Sequence, residues 1–195
     1  MLREGYVMNA SQDPRITRTR AAIRQAFEEL MAEKNADRIK VKELTDRAGI
    51  NRKTFYLHYE TIEALFDEVV NELMDEFFEH YEMTADVPED IDGHAQRFFL
   101  FLASQGERAE RFVCHAGSYD FGGQVYAEQM NRYKQAGDPF GWLPRDEEEL
   151  VLNFIRTTAL DFYRQWVRNG RAVSEQRAAE LLAHLTCNGV SDLLK

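Results

Sequence analysis

The chain has 195 residues, 44% of them hydrophobic and 30% charged, and its formal net charge is −10. This composition suits one or two globular domains and excludes wholesale disorder. The longest apolar run, 98–103, is far shorter than the ~20 residues that a membrane-spanning helix needs. Two cysteines, Cys114 and Cys187, exclude a disulfide scaffold. We therefore expect a cytoplasmic protein that does not engage a membrane.

The N-terminal part is predicted to be helical, because few prolines interrupt it and no segment alternates as a strand does. Residues 1–12 lack helical periodicity and are predicted to be a flexible arm. Pro14 is suited to the first turn of a helix, Gly49 to a sharp helix end, and Asn51 to an N-cap. The predicted helices cover 14–34, 41–48 and 52–58.

The rest of the chain also shows helical spacing of apolar residues. Thr61 is predicted to cap the fourth helix and Ser174 the last one. The helices predicted between these two caps are 62–84, 90–104, 107–115, a helix around 125–137, and 146–169.

The net negative charge conceals a basic N-terminal segment. Residues 14–59 contain 11 Lys and Arg against six Asp and Glu, so the acidic excess lies entirely outside them. Because a domain binds through its local field, this asymmetry predicts that only the N-terminal part meets a polyanion.

Residues 41–59 have the pattern of a helix-turn-helix, in which the second helix enters the major groove of DNA. Leu44, Phe55 and Tyr59 are the predicted interior of this motif. Its predicted outward side chains are polar or cationic and suit phosphates and base edges. These side chains are Arg52, Lys53, Thr54, Tyr56 and His58.

The same segment closely resembles the TetR/AcrR family of transcriptional regulators. The resemblance covers about residues 15–70. It rests on the pattern Ile39-x-Val41-x2-Leu44-x3-Ala48-Gly49-Ile50-x4-Phe55-Tyr56-x-His58-Tyr59, followed by Glu63-x-Leu65.

The resemblance implies an all-α fold with a three-helix DNA-binding domain over 1–60 and a ligand-binding and dimerisation domain over 61–195. It implies a homodimer on double-stranded operator DNA, with repression relieved by a small-molecule effector. The last two helices resemble the dimer-forming pair of the family. Candidate interface residues there are Phe154, Phe162, Trp166, Leu181 and Leu185.

Two positions depart from the family pattern. Lys40 stands where many members have a capping Thr or Ser, and Ile62 stands where many have a phosphate-binding Lys. We expect Lys40 and Lys42 to compensate by charge, and the helix start at Thr61 to meet a phosphate through its N–H groups.

The segment 90–145 is rich in aromatic residues and glycines. Such rings either fill the core or line an apolar pocket. Because basic residues are few in this segment, we expect an apolar effector, neutral or cationic, rather than a multiply charged anion. The candidate pocket residues are Phe98, Phe101, Phe112, Tyr119, Tyr126 and Tyr133.

No sequence motif of an enzyme, a metal site or a cofactor site is present, so none of these is predicted. The alternative to a ligand-responsive repressor is an interaction protein, or coactivator, whose body binds a partner protein while its DNA binding is weak.

Overall fold

The structure, a computed structural model, describes residues 14–79, 91–136 and 142–190. All regular structure in these ranges is helical, which confirms the predicted all-α fold. The helices are α1 (Pro14–Glu33), α2 (Val41–Ala48), α3 (Arg52–Tyr56), α4 (Ile62–Phe77), α5 (Ile91–Ser104), α6 (Glu107–Cys114), α7 (Phe121–Ala136), α8 (Arg145–Arg168) and α9 (Glu175–Val190).

The chain divides into two compact units, the first ending at Phe66 and the second beginning at Asp67. We call them the head and the body. The division falls inside α4, whereas the domain boundary predicted from the motif, between 60 and 61, falls just before that helix.

The head buries one apolar face of α1 against the helix-turn-helix. Ile23, Phe27 and Leu30 are fully buried, as are Leu44 of α2 and Phe55 of α3. Where the sequence predicted only a break after α1, a short 3-10 turn covers Ala36–Arg38 and buries Ala36. Ile39, directly after the turn, is buried as well.

The body is built around a cluster of aromatic rings on α5 and α8. Phe99 packs edge-to-face against Phe162, Tyr163 and Trp166, with ring centroids 5.3–5.9 Å apart. Burial raises the pKa of Tyr163 to about 12. Trp166 donates its indole N–H to the carbonyl of Val173 at 2.8 Å, so its polar atom is satisfied inside the body.

Within the described ranges, no helix combines the length and apolar character needed to cross a bilayer.

Candidate nucleic-acid interface and body cavity

The turn between α2 and α3 has the geometry that its sequence predicts. Gly49 has a φ of +68°, in the left-handed region where a side chain is disfavoured, and its N–H donates to the carbonyl of Thr45. Asn51 then caps α3, because its Oδ1 accepts from the N–H of Thr54 at 2.8 Å. These two local features fix where α3 begins.

The start of α2 lacks a side-chain cap, as the lysine in place of Thr or Ser predicted. Lys40 makes no capping hydrogen bond with its side chain, although its carbonyl accepts from the N–H of Leu44 at 3.0 Å. Lys40 and Lys42 are both exposed. The first N–H groups of α2 are therefore uncapped beside two ammonium groups.

The outward side of α3 is polar and accessible. Arg52 and Lys53 are exposed, and Tyr56 keeps 56% of its surface accessible. Thr54 is half-buried, and its hydroxyl donates to Oδ1 of Asn51 at 3.1 Å. With that proton directed at Asn51, Thr54 offers DNA its methyl group and a lone pair rather than a donor.

The helix α3 is shorter than the predicted 52–58. It ends at Tyr56, and His58 donates its N–H to the carbonyl of Phe55 at 2.9 Å in a tightened last turn. His58 is consequently half-buried after the helix. Leu57, at 75% exposure, is the most accessible large apolar side chain beside α3. The sequence reasoning missed it, although an apolar residue between two outward polar ones was the available signal.

The interior of the head holds α3 against α1. Phe55 is fully buried and packs against the Tyr59 ring at 5.8 Å, while the Arg20 guanidinium lies 5.2 Å from the centre of that ring.

Two ion pairs join the last residue of α1 and the residue after it to α2. Lys34 pairs with Glu43 at 2.5 Å and Arg47 with Glu33 at 2.6 Å. The hydrogen bonds from these cations lower the pKa of both carboxylates. Lys34 and Arg47 are thus engaged within the head.

The start of α4 is capped by Thr61, whose Oγ1 accepts from the N–H of Ala64 at 3.0 Å. Thr61 is exposed and Ile62 is buried. The hydroxyl proton of Thr61 is not used in this cap, so the residue keeps one donor for a phosphate.

The residues predicted at a dimer interface differ in exposure. Phe154 of α8 is 49% exposed and Leu185 of α9 is 57% exposed, while Phe162 and Leu181 are half-buried. Trp166 is 7% exposed and packs inside the body. An exposed leucine that the sequence reasoning did not select, Leu150, lies one turn before Phe154.

The body contains a small cavity that is partly open to solvent, and we call it the body cavity. Its apolar wall comes from α4, α5, α7 and α8 and includes Phe77, Phe98, Val125, Leu152 and Ile155. Two polar side chains, Gln129 and Arg156, complete the wall.

Of the six predicted pocket aromatics, Phe98 lines this cavity. Phe101 and Phe112 are buried in the core, and neither they nor Tyr119 are among its lining residues. Tyr126 packs on Leu152 and Ile155 and is not among the lining residues. The side chain of Tyr133 lies outside the described residues.

The regular structure of the described residues is helical, and a capped cationic helix faces outward after a glycine turn. This fold and site define a helix-turn-helix protein. Residues 23–69 match the sequence profile described as bacterial regulatory proteins, tetR family. Over this segment the match confirms the resemblance to the TetR family that the sequence predicted. The family is one of regulators rather than of enzymes.

A curated relative supports this assignment over part of the chain. It is an uncharacterized HTH-type transcriptional regulator, YxbF, of Bacillus subtilis (strain 168), 30% identical over 93 residues. The match spans 47% of this chain and 24% of the relative's own length.

Solved structures share the fold along most of the chain. One of them is native NalD of Pseudomonas aeruginosa, the secondary repressor of the MexAB-OprM multidrug efflux pump. It aligns with a TM-score of 0.62 and 17% identity, over 90% of this chain and 96% of NalD. A TetR transcriptional regulator from Rhodococcus sp. RHA1 aligns with a TM-score of 0.56 and 20% identity, over 91% of this chain and 98% of the other. FadR from Bacillus subtilis, solved with stearoyl-CoA, aligns with a TM-score of 0.57 and 16% identity over 85% and 96% of the two chains.

Proposed function

We propose that this protein is a homodimeric transcriptional repressor whose head binds operator DNA and whose body releases that DNA on binding a small, largely apolar molecule. The observation that carries the proposal is the outward face of α3. It presents Arg52, Lys53 and Tyr56 to solvent on a helix whose start and whose buried side are both fixed.

The chemistry of this face suits duplex DNA. The Arg52 guanidinium and the Lys53 ammonium donate to guanine edges or to phosphates, and the Tyr56 hydroxyl donates to a phosphate. Lys40, Lys42 and the free proton of Thr61 lie at the starts of two further helices, where N–H groups favour anions. His58 and the Thr54 methyl group complete the proposed surface.

The proposed dimer rests on apolar side chains that a monomer leaves in water. Leu150 and Phe154 lie one turn apart on α8, and Leu181 and Leu185 lie one turn apart on α9. The exposed members of these pairs are typical of an association surface. A second copy that covers them would form a four-helix bundle of two α8–α9 pairs.

The proposed ligand response rests on the body cavity and its apolar wall. A ligand there shifts the protein between DNA-binding and released states only by its difference in affinity for the two. FadR, a structural neighbour, was solved in complex with stearoyl-CoA.

The DNA-binding proposal is tested by affinity measurements on fragments selected from the genome of the source organism. We expect Arg52→Gln to lose about 1–3 kcal/mol on the selected site and to relax base preference. Tyr56→Phe should weaken selected and random duplexes alike, since phosphate contacts carry no sequence information.

The matched control is Arg47→Gln, which removes the same charge from α2 at a residue already paired with Glu33. It should leave operator affinity within a few tenths of a kcal/mol. Equal affinities of wild type, Arg52→Gln and Tyr56→Phe would contradict the assignment of α3. A stoichiometric protein partner together with DNA binding that no small molecule affects would favour the coactivator alternative.

A further inference from the structure

Among the described residues that line the body cavity, one is a cation, Arg156. It lies on the buried side of α8, among Leu152, Ile155 and Ala159, where the apolar spacing predicts a hydrophobic residue. Arg156 lies outside 90–145, the segment whose few basic residues led to the expectation of a neutral or cationic effector.

The guanidinium of Arg156 is held in place but incompletely hydrogen-bonded. Its Nη2 donates to Oδ1 of Asn153, and its Cζ lies 5.6 Å from the centre of the Tyr126 ring. Gly122 makes room for it, since a Cβ at that residue would stand 3.0 Å from Nη1. The Nε atom is buried and has no acceptor among the described residues.

No carboxylate in the described part of the chain forms an ion pair with Arg156. Glu149 and Glu148 add to burial in raising the pKa of Tyr126, so their charges act in this region. Arg156 as a whole is half-buried, but its Nε is buried, and a buried N–H without an acceptor is unfavourable. A ligand that supplies the missing acceptor is therefore stabilised at this position.

We propose that the body cavity binds an amphipathic monoanion, a carboxylic acid with an alkyl or aryl chain. The carboxylate accepts hydrogen bonds from Arg156, beside the polar side chain of Gln129, and the chain lies against Phe77 and Phe98. The proposal deepens the proposed function, on which it rests, and it replaces the neutral or cationic effector expected from the sequence. A single arginine matches a single negative charge, so the lining does not suit a phosphate dianion or a nucleotide.

Three probes with one chain length and different head groups test this chemistry: octanoate, octanol and octylammonium. Calorimetric titration of the full chain should give the tightest binding for octanoate, by about tenfold or more over octanol. Octylammonium should bind most weakly, because it places a second cation beside Arg156.

Variants of the arginine assign the preference to one side chain. Arg156→Met should remove the preference of octanoate over octanol while leaving octanol binding unchanged. Arg156→Lys should keep part of the preference, since it keeps the charge but loses the planar fork. Arg168→Met removes a charge from an exposed position on the same helix and should leave octanoate affinity unchanged.

The proposal is overturned if octanol or octylammonium binds the wild type as tightly as octanoate, if no probe binds, or if Arg156→Met retains full octanoate affinity. If Arg156→Met retains full octanoate affinity, the hydrogen-bond acceptor of the Arg156 Nε is water and not the ligand. Should Arg156→Met fail to fold, the comparison of the three probes on the wild type decides alone. Release of operator DNA by octanol as readily as by octanoate would leave the proposed function standing and defeat only this inference.

Discussion

The sites of the head and of the body differ in how far apart in the sequence their residues lie. In the head, each feature of the DNA-facing surface follows from neighbours a few residues away: the Gly49 turn, the Asn51 cap and the Thr61 cap. In the body, the cavity joins side chains as distant in sequence as Phe77 and Arg156. A site made of local features can be predicted from a motif, whereas one made by packing requires the structure.

The largest expected effect comes from removing a fully buried phenylalanine ring, in one variant of the head and one of the body. Phe55→Ala should destabilise the head by about 3–5 kcal/mol, because it leaves a cavity beneath α3. Operator binding should be lost while octanoate binding to the body is kept. Thermal unfolding, anisotropy with labelled operator and calorimetry measure the three quantities.

Phe112→Ala is the matched change in the body, where the side chain is equally buried. It should lower the unfolding temperature of the body and impair octanoate binding. If Phe55→Ala abolished both operator and octanoate binding, the two units would not fold independently and the comparison would fail.

The second expected effect concerns the proposed dimer surface of the body. Leu185→Glu places a charge in an exposed apolar position, and a desolvated charge at an interface is strongly unfavourable. The variant should sediment as a monomer and lose operator binding. Gln176→Glu, which adds the same charge in the exposed first turn of α9, should remain dimeric. A well-folded Leu185→Glu monomer with full operator affinity would refute the proposed assembly.

The third expected effect concerns two helix caps of similar chemistry, one in the head and one in the body. Asn51 caps α3 at 2.8 Å, and Ser174 caps α9 at 3.3 Å through the N–H of Arg177. Each change to alanine should cost about 1 kcal/mol of unfolding free energy in chemical denaturation. Only Asn51→Ala should also weaken operator binding, because its cap fixes the start of α3. Equal losses of DNA affinity in both variants would contradict a local role for the cap.

The smallest effect is a pH dependence confined to the head. The pKa values of Glu33 and Glu43 are lowered from the ordinary value of 4.5 by hydrogen bonds from Arg47 and Lys34. Groups with a lowered pKa in the folded state contribute stability that is complete above 4.5 and is lost as pH falls through the lowered values. Denaturation of the double variant Glu33→Gln, Glu43→Gln should show a shallower loss of stability in this range. An unchanged acid slope would mean that the pairs do not contribute.

The sequence predicted the helical fold, the three side-chain caps and the helix-turn-helix because these depend on spacing and on residue types with known backbone preferences. It placed the end of α3 too late, since nothing in the sequence signals that the chain tightens at Leu57 and His58. It selected body aromatics by composition, but composition does not distinguish a ring that lines a cavity, such as Phe98, from one buried elsewhere in the core, such as Phe112. Arg156 stands within an apolar stripe of α8, and this pattern was the sequence signal that could have identified it.

The claim that α3 reads DNA is tested most directly by methylation protection of guanine N7 in the major groove of a selected operator. A dimer that inserts α3 from each copy predicts two protected patches related by a two-fold axis, about 34–36 Å apart or a multiple of this spacing. Arg52→Gln should remove protection at the same guanine in both half-sites. Binding with no protected guanine in the major groove, or protection unchanged in both Arg52→Gln and a Lys53→Gln variant, would contradict the claim that α3 reads DNA.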